Sequence, residues 1–154
     1  MMKFILLFLI LSVIKIFPQA KSIEPGLYLT LSKDSCNVKA AVNTIVYSSD
    51  TLCIEQKPSI TVKDIETCNT QTATLDGKEL YVLNIALNDS AKTKFRNITE
   101  QNTGKKMVLI IDQKAIMVAV IRDPVTIGRL TVSGASRNEI DNWAEKLKEA
   151  MKNK

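Results

Sequence analysis

The chain has 154 residues, with 21 Lys and Arg against 16 Asp and Glu, and it contains no histidine. That length suits one domain with a core large enough to fold without several disulfides. The missing histidine removes the usual general base near neutral pH, the Ser-His-Asp and Cys-His arrangements and the commonest zinc ligand, which argues against a hydrolase.

At the N-terminus, Met1-Met2-Lys3 precedes an apolar run from Phe4 to Ile14 that is broken only by Ser12 and ended by Lys15. A membrane-spanning helix needs roughly 20 apolar residues, so this shorter run reads as a secretory signal peptide. Ala20 and Ser22 place small side chains at −3 and −1 for cleavage after Ser22. Cleavage after Ala20 is the rival, weakened by Pro18, and an uncleaved anchor is the other alternative, opposed by Lys15. The expected organisation is a signal peptide over 1–22 and a single domain over 23–154. That domain is expected to be extracytoplasmic, periplasmic or secreted, with no membrane span once the signal is cut. Cleavage takes Lys3, Lys15 and Lys21, leaving 18 basic residues against 16 acidic ones. No basic run is interleaved with aromatics, so nucleic acid is not an expected partner.

Pro25-Gly26 opens a strand over Leu27–Leu31, and Ser32–Asn37 is turn-like. Val38–Ala41 fits a strand or a helical turn equally well. Thr44–Tyr47 and Thr51–Glu55 read as short strands about Ser48-Ser49-Asp50. Thr61 is placed to cap a short helix over Val62–Thr67, with Asp64 reciprocating and Ile60 and Ile65 clasping as a hydrophobic staple. Cys68–Leu75 is a Thr-rich strand, Asp76-Gly77 a two-residue hairpin turn, and Leu80–Leu87 the returning partner. The apolar positions of that partner change parity near Leu83-Asn84, which predicts either a bulge or burial on both faces.

Asn88 or Asp89 caps the next helix, whose inner face carries Ala91, Phe95 and Ile98 and which Gly104 follows in a left-handed position. Met107–Ile111 and Ala115–Ile121 are continuous apolar strands, the pattern expected at the centre of a sheet. Val125 and Ile127, then Leu130 and Val132, alternate with a slip that predicts a bulge at Gly128. Ser136 and Glu139 make a capping box for a last helix whose stripe is Ile140, Trp143, Ala144, Leu147, Ala150 and Met151. Hairpins alternating with one-striped helices imply an α+β fold, a mixed and largely antiparallel sheet with helices packed on one face.

The order of these signals carries a resemblance. Pro58, Thr61 and Asp64-Ile65 come first, then Leu87-Asn88, Ala91, Phe95, Thr99, Asn102 and Gly104-Lys105. Asp112 and Lys114 follow, then Pro124, Thr126, Gly128 and Gly134. Over residues 51–151 the chain resembles the head subdomain of the first periplasmic domain of SecD, the accessory protein of the bacterial secretion channel. It departs from the family at Gln113, where a hairpin glycine is usual, and at Met117-Val118-Ala119, where Ser-Ala-Pro is more typical. It also carries no set of transmembrane helices, so the family's proton-coupled motor activity does not transfer. What the resemblance implies is a head that touches unfolded polypeptide outside the membrane.

The same resemblance bears on the cysteines. Cys68 occupies a position where the family places a small buried residue, which leaves Cys36 and Cys53 as the expected disulfide pair. Such a bridge closes a loop of about 18 residues and contributes roughly 3 kcal/mol. Asp112 and Asp123 flank the apolar strands but sit where turns favour aspartate, so they are read as turn residues and not as a catalytic pair. The glycosylation sequons Asn88-Asp89-Ser90 and Asn97-Ile98-Thr99 fall on a helix cap and a helix. No catalytic residue, cofactor or metal is expected. The functional expectation is a non-enzymatic extracytoplasmic interaction module for a protein or unfolded polypeptide. The alternative is an inhibitor or immunity protein dedicated to one folded target. The sequence assigns no binding surface.

Overall fold

A computed structural model describes residues 22–32, 36 and 43–153. The signal-like segment through residue 21 and the undecided stretch Val38–Ala41 lie outside the described residues, as does most of Ser32–Asn37. The described strands are β1 (Gly26–Leu29), β2 (Asn43–Tyr47), β3 (Asp50–Ile54), β4 (Ile60–Thr61), β5 (Ile65–Leu75), β6 (Lys78–Leu87), β7 (Lys106–Ile111), β8 (Lys114–Val120) and β9 (Arg129–Gly134). Two long helices accompany them, α1 (Asp89–Gln101) and α2 (Arg137–Lys152). The fold is α+β, as expected, and every described ladder is antiparallel. The strands divide into a four-stranded sheet ordered β4-β1-β7-β8, a three-stranded sheet ordered β5-β6-β9, and the β2-β3 ribbon.

β7 is apolar from Met107 to Ile111 because both its faces are covered. Leu27, Leu29, Met107, Leu109 and Ile111 join the principal core with residues of the helices and of the three-stranded sheet. Tyr28, Val108 and Ile110 pack on the opposite side with Ile45 and Ile54 of the ribbon. β8 is equally apolar in sequence, yet it lies at the sheet edge, and Val120 is 51% exposed. The expectation of a central position therefore holds for β7 and fails for β8. Continuous apolarity reports cover on the faces, not pairing on both edges. Gly26 fits between β4 and β7 because a Cβ there would collide with the Ile60 carbonyl oxygen and come 2.8 Å from Pro58 Cβ, at a φ of +153°.

Two local expectations are corrected, and at β6 one of two alternatives, burial on both faces, is borne out. The helix expected over Val62–Thr67 is a single 3-10 turn over Val62–Asp64, after which Ile65 is already in β5. The reciprocal contact still forms, with the Asp64 carboxylate accepting from the Thr61 N–H at 2.7 Å and from its hydroxyl at 3.0 Å. Ile60 and Ile65 are both buried in the principal core. The irregularity of the β5–β6 ladder lies between Ile65 and Thr67, not at Leu83-Asn84, whose pairing is regular. β6 is the middle strand, and Val82 and Leu83, on opposite faces, are both buried. Finally, Gly128 is not a bulge inside a strand: β9 starts at Arg129, Ile127 is exposed, and the Val125 N–H donates to the Thr99 hydroxyl at 2.9 Å.

The caps follow the sequence closely. The Asn88 side chain accepts from the Ala91 N–H at 2.9 Å, and Ala91, Phe95 and Thr99 are the buried face of α1. Ser136 accepts from the Glu139 N–H at 3.3 Å, while the Glu139 carboxylate accepts from the Ala135 N–H at 2.7 Å. Ile140, Ala144 and Leu147 are buried along α2, and Trp143 and Met151 lie half-buried beside them. Trp143 is thus a flank of the stripe, not its centre.

Candidate functional site

Among the described residues, helix covers the three-stranded sheet on one face only. Successive side chains of a strand point to opposite faces, so the register fixes which residues share a side. Cys68 pairs with Ile85 and Thr70 with Leu83; Ile85 faces Leu130 and Leu83 faces Val132. Cys68, Ile85, Leu83 and Val132 lie with Ile140, Ala144 and Leu147 of α2 in the principal core. The intervening rows point the other way: Thr67–Ala86–Arg129, Asn69–Asn84–Thr131 and Gln71–Val82–Ser133.

That second face carries amides and hydroxyls, with Arg129 at one end and the buried Val82 between Gln71 and Ser133. The Thr131 hydroxyl donates to Asn84 Oδ1 at 2.9 Å, and Asn84 Nδ2 donates to Gln71 Oε1 at 3.2 Å. The three side chains form a chain of hydrogen bonds running across all three strands. Thr67, Asn69, Asn84, Arg129 and Thr131 surround a shallow depression of about 400 Å³ above it. Arg129 is its one formally charged lining residue. Asn69 and Thr67 make no side-chain hydrogen bond among the described residues and stand exposed beside the chain. Such groups pair equally well with the N–H and C=O of any peptide backbone.

Two polar clasps hold the scaffold around this face. Asp64 receives Lys94 Nζ of α1 at 3.2 Å, and the Asp64 carbonyl accepts from the Asn88 N–H at 3.0 Å. Burial alone would raise the Asp64 carboxyl, but hydrogen bonds from the Thr61 backbone, Lys94 and the Thr61 hydroxyl outweigh it and hold it below the ordinary range. In the β7–β8 turn, Asp112 and Gln113 both take positive φ, at 49° and 64°. Gln113 Nε2 donates to the Ile23 carbonyl and its Oε1 accepts from the Ile23 N–H, both at 2.8 Å. Glutamine in the family's glycine position therefore ties the N-terminal segment to the four-stranded sheet. Tyr28, fully buried, donates to the Glu24 carbonyl at 2.7 Å, and burial with the nearby Glu24 charge pushes its phenol up to about 12.

The structure brings the sulfurs of Cys36 and Cys53 into contact, with Cα atoms 5.8 Å apart, within the span a disulfide bridges. Cys68 is buried and free, and burial raises its thiol. Asp112 and Asp123 lie at opposite ends of β8 and are not brought together. Asn88 is occupied as a helix cap, and Asn97 is exposed on α1. Among the described residues, no cluster of three or more His, Cys, Asp or Glu is arranged to hold a metal ion, and no helix is long and apolar enough to cross a membrane.

A family model described as the SecDF P1 head subdomain matches residues 39–150. The chain belongs to that family. The protein translocase subunit SecD of Thermobaculum terrenum is 36% identical over 67 residues, which cover 44% of this chain and 13% of that protein. SecD of Aquifex aeolicus is 32% identical over 73 residues, covering 47% of this chain and 14% of that protein. The chain thus spans about a seventh of the length of these relatives. A solved structure of SecDF, described as a membrane component that enhances protein export, superposes with a TM-score of 0.57 at 16% identity, covering 80% of this chain and 62% of that one. SecDF in a super-membrane-facing form gives 0.54 at 16% identity, over 82% of this chain and 23% of the other. At that identity the likeness is one of fold. The head fold is therefore shared, while the open face of β5-β6-β9 is read from the strand register and side chains of this chain. The Thr-, Asn- and Gln-rich alternation from Thr67 to Ala73 was its signal in the sequence, legible only once the pairing with β9 was known.

Proposed function

We propose that this domain is a non-enzymatic interaction module that works outside the cytoplasmic membrane and holds unfolded polypeptide against the open face of β5-β6-β9. The observation that carries the reading is the hydrogen-bonded row Gln71–Asn84–Thr131, with Asn69 and Thr67 exposed beside it. Amides and hydroxyls match the main-chain groups that every polypeptide presents, so recognition needs no particular sequence. The depression lacks the buried aromatic anchor on which tight, single-target interfaces depend. Binding is accordingly weak and fast, as a protein-export accessory handling many clients requires. Family membership supports the same role, since the relatives are subunits of the protein translocase.

Titration of the exported protein with a permanently unfolded polypeptide and with its folded counterpart tests this. The expected result is micromolar or weaker binding of the unfolded form alone, reduced several-fold by Asn84→Ala. Tight capture of one folded protein, with no affinity for unfolded chains, would contradict it.

Two features of the mature molecule belong to the same proposal: a start near Ile23 after signal cleavage, and a Cys36–Cys53 disulfide with Cys68 left reduced. Intact mass of exported protein checks both at once. The expected mass begins at Ile23 and rises by two hydrogen atoms on reduction. A retained Met1 or Met2, or three free thiols, would overturn the corresponding part.

A further inference from the structure

The outer edge of β5 and the flank of α2 beside it form a surface that is complementary to itself. β5 pairs with β6 on one side and with no described strand on the other. Natural edge strands are protected by lysine, proline or inward charge. From Thr67 to Leu75 this edge has none of these; its one titratable side chain is the buried Cys68 thiol. Alternate residues therefore present free N–H and C=O groups along an uncharged strand.

α2 runs antiparallel to β5 at this edge. Thr72 shares a surface depression with Arg137 and Asp141 near the start of the helix, whereas the Cys68 thiol feels the charge of Lys148 near its end. Between them, a groove of about 320 Å³ separates Thr70 from the exposed flank of α2. Along that flank Asp141 and Glu145 come first and Lys148 and Lys152 follow, all exposed. Glu145, Lys148 and Lys152 make no ion pair among the described residues.

We propose that two copies of this chain pair through the edge of β5 about a two-fold axis near Thr70, with their α2 helices antiparallel across it. Reversal about the midpoint of the charged row sets Asp141 against Lys152 of the second copy and Glu145 against its Lys148. The remaining groove residue, Glu149, then faces Ala144, and Asp141 keeps Arg137 of its own helix at 3.7 Å. A client strand of arbitrary sequence has no such match to offer, and a parallel arrangement of the helices would set acid beside acid. The product is one six-stranded sheet. Its open face places Asn69 and Gln71 of both copies side by side, doubling the amide surface described above. The inference stands on the edge and the helix flank alone and does not depend on what that face binds.

Sedimentation equilibrium of the exported protein, with two surface variants, provides the test. One variant carries Lys148→Glu and Lys152→Glu, the other Asp141→Lys and Glu145→Lys. All four positions are exposed, so both variants retain the fold, as far-ultraviolet circular dichroism would verify. The natural chain is expected to be a dimer at tens of micromolar. Each variant alone should dissociate at least about ten-fold more readily, since like charges replace several weak ion pairs. An equal mixture of the two variants should regain the dimer. A natural chain that stays monomeric, or variants that associate as well as the natural chain, would overturn the proposal. So would a monomer whose β5 amides gain protection from hydrogen exchange only when unfolded polypeptide is added, because the edge would then belong to that polypeptide.

Discussion

The β4-β1-β7-β8 sheet and the β5-β6-β9 sheet share one core but differ in their second faces. On the four-stranded sheet, Tyr28, Val108 and Ile110 are covered by the β2-β3 ribbon, so consecutive residues of β7 are buried. On the three-stranded sheet the equivalent face carries Asn69, Gln71, Asn84 and Thr131 and has no described helix or ribbon over it. Along β7, cover on both faces leaves Met107 to Ile111 free for nothing but packing. A singly covered sheet keeps a row of side chains whose identity stability does not dictate, and function has room there.

Core truncations on the two sheets should have the largest effects. On β7, Leu109 and Ile110 are neighbours that face opposite cores, and each is at most 1% exposed. Leu109→Ala and Ile110→Ala are each expected to cost about 2–5 kcal/mol in denaturant melts, the range for emptying a buried aliphatic site. On β6, Leu83→Ala should cost a similar amount, whereas Asn84→Ala on the open face should cost under about 1 kcal/mol. A large loss from Asn84→Ala would mean that the hydrogen-bonded row is structural.

A smaller effect is expected where Asp64 ties the three-stranded sheet to α1. The Asp64 carboxyl is held below its ordinary value of 3.8 in the folded state. Its contribution is therefore fully present above the unfolded value and is lost as pH falls through the folded one. Asp64→Asn should flatten the dependence of stability on pH between about pH 5 and 3. An unchanged acid limb would remove Asp64 from the clasp.

The two sheets also differ in how plainly they stand in the sequence. Met107–Ile111 announces a strand covered on both faces by its composition alone, as Asp76-Gly77 announces its hairpin and Ser136 its helix. β8 misleads, because its apolar residues reflect the ribbon and the core against its faces while its outer edge pairs with no described strand. The open face of β5-β6-β9 is hidden for a different reason. Asn84 and Thr131 are 47 residues apart, and only the register of β6 on β9 joins them to Gln71. Gln113 was visible as a departure from a family turn, but its role needed the Ile23 backbone, 90 residues away, to be in place.

Amide NMR of the exported protein during titration with an unfolded polypeptide reads the open face of β5-β6-β9 residue by residue. Shift changes confined to Thr67, Asn69, Gln71, Asn84 and Thr131 are expected, with β7 and the β2-β3 ribbon unmoved. Changes centred on the ribbon or on β8 with that row silent would contradict the assignment of the open face as the working surface.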